Sequence, residues 1–257
     1  MKGRDSHLAV RVVVIGDFQI GKSSFVNCLL AETRAEMGEG FFPTTEASAE
    51  YMLVPGVILV DTPGFNDSRR ELEDRTNEEI AKSDIILFIK TEKILGERDR
   101  VILRKSGGKK TIVLFNCTNK TIGRRGWIPD AKANADTCDK IRSQLVKEGM
   151  DAFLLRIDGK SVFPVNILWA HFGLGLPITE SQQNDINEFA VKDFKLNETD
   201  SALRTEMLQR SGFLPVRDFL MNLPLGILKH VAANPQREIE RVVDRFAEEL
   251  KRRWAAA

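Results

Sequence analysis

Three cysteines in 257 residues, Cys28, Cys117 and Cys138, are odd in number and lie outside metal-ligand spacing. They exclude a disulfide scaffold and fit a reducing, cytoplasmic setting. A surplus of charge is missing too. Lys plus Arg number 38 against 37 Asp plus Glu, so no bulk attraction to nucleic acid or to a membrane surface is expected. Met1–Ser6 is polar with no apolar signal core behind it. The longest apolar runs, Ile85–Ile89 and Val57–Val60 among them, are strand-sized, far below the roughly 20 residues of a membrane helix. Internal repeats and low-complexity tracts are absent from the sequence. The length suits one well-buried α/β domain with a small extension.

What is present is a set of short β-branched runs at Leu8–Ile15, Val57–Val60, Ile85–Ile89, Thr111–Phe115 and Val162–Leu168. Continuous apolar strands belong in a mostly parallel sheet covered on both faces. Helical spacing over Lys22–Leu30, Glu71–Lys82 and Glu97–Lys105 places a helix between successive strands, which predicts a doubly wound α/β fold. Ala49–Val54 and Val57–Val60, joined by Pro55-Gly56, read as an antiparallel hairpin at the sheet edge. Further helices are predicted over Asp136–Glu148 and Leu214–Leu223. His171–Asp200 is polar and weakly patterned, and an insertion around 172–200 is expected there. Asn234-Pro235 then caps a C-terminal amphipathic helix with an apolar stripe from Ile239 to Trp254. The expected division is a domain over 1–232 and this helix over 233–257.

The chemistry concentrates near the start. Gly16-Asp17-Phe18-Gln19-Ile20-Gly21-Lys22-Ser23 is a complete G-x-x-x-x-G-K-[ST] loop between a strand and a helix, the context that motif requires. Its glycines let backbone N–H groups turn inward around β- and γ-phosphates, Lys22 adds a positive point charge, and the Ser23 hydroxyl suits a Mg²⁺ shell. A nucleoside triphosphate is the expected ligand. Asp61-Thr62-Pro63-Gly64 follows a strand, where Asp61 can hold Mg²⁺ through water and the Gly64 N–H can reach the γ-phosphate.

These two motifs, with Phe42-Pro43-Thr44-Thr45 between them and Ser24-Phe25-Val26-Asn27-Cys28-Leu29-Leu30 after the loop, resemble the translation-factor-related class of P-loop GTPases. Val60-Asp61-Thr62-Pro63-Gly64-Phe65-Asn66-Asp67 makes the chain look most like the G domain of the bacterial dynamin-like branch. The resemblance spans about residues 8 to 223. It implies GTP and GDP as ligands, Mg²⁺ as cofactor, a first switch over Met37–Glu46, a second over Gly64–Arg75, and a Mg²⁺-binding hydroxyl from Thr45 or Thr44. It also implies a catalytic set of Lys22, Gln19, Thr45 and Gly64, with Ser23, Thr45 and Asp61 around the metal. Phe65 stands beside Gly64 where Ras-type enzymes carry the glutamine that orients water. The resembling group instead places a polar side chain in the phosphate loop and completes its site as a homodimer across the nucleotide. Gln19 holds that loop position. Hydrolysis is accordingly expected to be slow unless dimerisation or a partner activates it.

The base-reading element departs from the family. Asn116-Cys117-Thr118-Asn119 stands where Asn/Thr-Lys-x-Asp is expected. Asn119 offers one acceptor oxygen and an NH₂ that meets a guanine donor, so selectivity is weakened or turned toward another base such as xanthine. Asn116, Asn119, Trp169 and Ala170 are the candidate base contacts. In the last pair's tripeptide, Trp169-Ala170-His171 replaces the usual Ser-Ala-Lys. Two other readings remain open from sequence: a non-hydrolysing, nucleotide-gated interaction module, and an NTPase of altered base preference. Lys120, Arg124, Arg125 and Trp127 form a small basic and aromatic cluster, but no nucleic-acid partner is predicted, and membrane contact is not supported by this chain alone.

Overall fold

The structure, a computed structural model, describes residues 9–17, 19–35, 48–63, 70–117, 131–187, 195 and 201–224. Phe18, the first switch with Thr44 and Thr45, residues 64–69 of the second switch with Gly64, the 118–130 segment with Asn119, and the expected 233–257 helix lie outside them.

Six strands form one sheet: β1 (Val10–Gly16), β2 (Ala49–Val54), β3 (Val57–Asp61), β4 (Ile85–Lys90), β5 (Lys110–Asn116) and β6 (Val162–Val165). Their spatial order is β2-β3-β1-β4-β5-β6. Every pairing is parallel except the β2/β3 hairpin, which carries a register irregularity between Met52 and Val54. The doubly wound expectation and its antiparallel edge hold.

Strand periodicity explains the unbroken apolar runs. Successive side chains point to opposite faces, so Val12 and Val14 enter one core while Val13 and Ile15 enter the other. Ile85, Leu87 and Ile89 divide from Ile86 and Phe88 in the same way, as do Ile112 and Leu114 from Val113 and Phe115. Each fully buried side chain of this size contributes about 1.5–3 kcal/mol.

On the first face pack α1 (Lys22–Leu30) and α8 (Phe213–Met221), with Phe25 and Phe213 meeting edge-to-face at 5.7 Å. The second face takes α2 (Arg70–Lys82), α3 (Glu97–Lys105) and α4 (Ala131–Lys147) through Ile80, Ile102, Leu103, Ile141 and Leu145. The remaining helices are α5 (Ile167–Gly173), α6 (Glu180–Asp185) and α7 (Ser201–Arg210).

Two expectations change. The strand predicted over Val162–Leu168 stops at Val165, because the Asn166 side chain accepts the Trp169 N–H at 3.1 Å and caps α5. The expected insertion is partly regular structure. Trp169, Phe172, Ile186, Leu203 and Met207 form a small core of their own, and Thr179 with Gln182 makes a capping box at the start of α6. Residues 188–194 and 196–200 fall outside the described segments.

The β6 edge is closed by composition. Pairing of Cys117 N–H with the Val165 carbonyl turns the backbone groups of the alternate residues Val162 and Pro164 toward the open edge. Pro164 has no N–H to offer there, which suits an edge strand. Gly212, at φ 71°, presses against the Pro164 carbonyl so closely that a Cβ would fall 2.1 Å from it. The Asn166 N–H donates to the Ser211 carbonyl at 2.7 Å beside it.

Candidate functional site: the loop after the first strand

β1 ends at Gly16 and α1 begins at Lys22, so the phosphate-loop motif spans the turn between them at the carboxyl ends of the parallel strands. Ligands of open α/β sheets bind at such an end. Gly16, at φ 151°, passes under Ile89, and a Cβ there would sit 2.3 Å from the Ile89 carbonyl oxygen. Only glycine fits that crossing. Gln19 takes a left-handed backbone, φ 55°, with its side chain exposed. A non-glycine residue there stores about 1 kcal/mol of strain.

Lys22 is 7% exposed, and its ammonium donates to the Asp17 carbonyl at 2.7 Å. Burial lowers its pKa to about 8, with Asp61 and Asp17 opposing that fall through their charge. A polyanion in the loop would restore the ammonium's full charge. Asp61 is 1% exposed, and burial raises its pKa against hydrogen bonds from the Ser23 hydroxyl and the Thr62 N–H and against the charge of Lys22. Its Oδ1 is buried and finds no hydrogen-bond partner among the described residues. Asp17, half-buried, also has a raised pKa, chiefly through burial, although Arg98 opposes it.

An unsatisfied carboxylate oxygen beside a serine hydroxyl is a hard-oxygen donor pair of the kind Mg²⁺ takes, and an ion at this point satisfies Asp61 Oδ1. The residues present therefore fit the cation that the motif implies. Thr62 positions Asp61: its hydroxyl donates to the Val14 carbonyl at 2.8 Å, locking the end of β3 to β1.

Asn116 is 5% exposed and braces the loop from the far side. Its Nδ2 donates to the Ile20 carbonyl at 3.0 Å and its Oδ1 accepts the Ile167 N–H at 3.2 Å. The described residues thus bring Gly16, Asp17, Gln19, Ile20, Gly21, Lys22, Ser23, Ser24, Asp61 and Asn116 to one end of the sheet. Trp169 and Ala170 are not presented there. Both are completely buried inside α5, with Trp169 packed in the small third core, and His171 is 4% exposed in the same helix. The turn that meets Asn116 is Asn166-Ile167, three residues earlier than expected, because the Asn166 cap starts the helix sooner.

Sequence reasoning passed over Thr62, Asn166 and Asn27. The Asn27 side chain, fully buried, accepts the Arg34 N–H at 2.9 Å and the Ala35 N–H at 2.7 Å and donates to the Ala35 carbonyl at 2.9 Å. It pins the chain as it leaves α1 toward the Thr-bearing segment. For Asn166, a cap residue ahead of an apolar helical pattern was the available signal.

Sheet order, the loop after β1 and Asp61 at the end of β3 match the fold of the P-loop GTPases. Comparison with known proteins agrees: residues 11–117 match a family model described as 50S ribosome-binding GTPase. Over 115 residues the chain is 33% identical to the tRNA modification GTPase MnmE of Thermotoga maritima, covering 42% of this chain and 26% of the relative. With the MnmE of Natranaerobius thermophilus it shares 29% over 158 residues, covering 59% of this chain and 32% of the relative. The chain thus spans about a quarter to a third of the length of these curated relatives. Among solved structures, the LeoA bacterial dynamin GTPase from ETEC aligns over 95% of this chain and 44% of its own, at 17% identity and a TM-score of 0.43. Among the described residues no helix is long and apolar enough to cross a membrane.

Proposed function

We propose that this chain is a Mg²⁺-dependent GTPase that hydrolyses the β-γ bond and changes conformation with the γ-phosphate, in the manner of a dynamin-like G domain. The observation that carries the reading is the buried pair of Lys22 and Asp61 beside the half-buried Ser23 hydroxyl, with one Asp61 oxygen unsatisfied. Burying an ammonium and a carboxylate costs several kcal/mol unless something compensates. A polyphosphate and its divalent ion are that compensation.

In this reading the loop N–H groups and Lys22 hold the β- and γ-phosphates and neutralise charge as the bond breaks. Ser23 and Asp61, with Thr45 or Thr44 as a third oxygen, would hold Mg²⁺, which would supply charge neutralisation. Gly64 senses the γ-phosphate, and Gln19, exposed on the loop, meets the attacking water or a second copy's nucleotide. Asn116 keeps the loop in register with the base-side turn at Ile167. Because Phe65 replaces a water-orienting glutamine, turnover is slow until a second copy or a partner joins.

Isothermal titration with GTP, XTP and ATP, each with and without Mg²⁺, tests the assignment. GTP binding that requires Mg²⁺ supports it, and no Mg²⁺-dependent binding of any triphosphate sinks it. XTP bound more tightly than GTP transfers the reading to a different base, which the Asn116-Cys117-Thr118-Asn119 sequence favours. Turnover measured across protein concentration separates an enzyme from a nucleotide-gated module: phosphate release that rises per molecule with concentration supports hydrolysis aided by self-association, whereas none at any concentration leaves the module.

A further inference from the structure

A second concave site lies away from the phosphate loop, along the outer side of β6. It is a cleft of about 740 Å³ between α4 and the Arg210-Ser211-Gly212 turn. Cys117, Cys138, Val162 and Pro164 are among its lining residues, and they supply an apolar floor. Arg142, Lys160 and Arg210 also line it, against a single carboxylate, Asp139. Arg210 is paired with Glu206. Among the described residues neither Arg142 nor Lys160 has an ion-pair partner. Ser161, another lining residue, is 1% exposed, and its hydroxyl finds no hydrogen-bond partner among the described residues.

An apolar floor with unpaired cations at the rim and an unsatisfied hydroxyl complements an amphipathic anion. The volume lies within the roughly 300–1,000 Å³ typical of small-molecule pockets. An extended peptide adding to the sheet is a poor fit. Strand addition needs a row of free donors and acceptors, yet Pro164 offers no N–H, its carbonyl is pressed by Gly212, and the Asn166 N–H is already given to Ser211. What remains at the edge suits a compact ligand.

The structure assigns this cleft as a second ligand site, for a small organic anion with a flat apolar body. The body lies on Val162, Pro164 and the two thiols, and the anionic group meets Arg142 and Lys160. The thiols take no covalent part, since burial raises the pKa of both Cys117 and Cys138 to about 12, which leaves them protonated at neutral pH.

Anilinonaphthalene sulfonate, an aromatic anion whose fluorescence rises in an apolar setting, is the probe. It is titrated into the full chain, the Lys22→Met variant, an Arg142→Glu/Lys160→Glu variant and an Ala135→Trp variant. Ala135, Arg142 and Lys160 are all exposed, so these changes leave the core intact. Saturable one-to-one binding is expected in the parent and in Lys22→Met. Charge reversal is expected to weaken it by about ten-fold or more, the scale of a lost charge-assisted contact, and Ala135→Trp, which lines the mouth, is expected to remove it. Triphosphate affinity, measured separately, stays unchanged in the rim variants. Absence of saturable binding overturns the assignment, as does binding that survives both rim variants or vanishes in Lys22→Met, which would place the probe in the phosphate loop.

Discussion

Replacing Lys22 by methionine separates what the fold tolerates from what the ligand needs. Burial takes the Lys22 pKa from 10.5 to about 8. At roughly 1.4 kcal/mol per pH unit, the charged side chain costs the nucleotide-free fold about 3 kcal/mol. Its hydrogen bond to the Asp17 carbonyl returns about 1.5 kcal/mol. Methionine keeps the alkyl stem and drops both contributions, a net gain of about 1–2 kcal/mol, or roughly 3–6 °C in melting temperature for a domain of this size. The sign follows from linkage. A lysine whose folded pKa is depressed penalises the fold fully below pH 8, and the penalty fades as pH rises from 8 toward 10.5. Differential scanning calorimetry in nucleotide-free buffer should therefore show Lys22→Met melting above the parent at pH 7, with the gap closing by pH 10. Addition of GTP and Mg²⁺ should raise the parent's melting temperature and leave the variant's unmoved. A variant that melts no higher than the parent at pH 7, or that still responds to nucleotide, refutes the reasoning.

The same ammonium makes triphosphate affinity pH-dependent: it should fall by about ten-fold per pH unit above pH 8, and titration calorimetry on Lys22→Arg, which stays charged, should show no such fall. Asn116→Ala leaves the Ile20 carbonyl and the Ile167 N–H unpaired in the interior, so urea unfolding should report a loss of about 2–4 kcal/mol, with nucleotide affinity reduced alongside. Ala31 ends α1 in the left-handed region at φ 53°, a conformation that suits glycine. Ala31→Gly should stabilise the chain by about 1 kcal/mol in the same assay, and Ala31→Val should do the opposite.

The parallel sheet was legible because its strands are largely apolar runs buried on both faces, and α1 and α3 were read to the residue from helical spacing between strands. The phosphate loop was legible for another reason: its chemistry is local, a contiguous run whose spacing is the site. Contacts that close over long separations were not. Asn116 meets Ile20 across 96 positions and Thr62 meets Val14 across 48, and nothing in either neighbourhood announces the partner. The region after β6 misled because Val162–Leu168 is apolar apart from Asn166, so strand and helix look alike until the Asn166 cap divides them. Trp169 then reads as an aromatic at a strand end, although it lies within α5 in a small core shared with α7.

Val14 stands opposite Asp61 in the β1/β3 ladder. The anion cradle and the acidic anchor are therefore mounted on adjacent rungs of one rigid frame, and their spacing belongs to the sheet rather than to any loop. In the proposed function, any rearrangement that follows the nucleotide takes place against that frame. A single residue inserted into β3 would turn Asp61 to the opposite side of the sheet, disabling the site while leaving both motifs intact to anyone reading the letters.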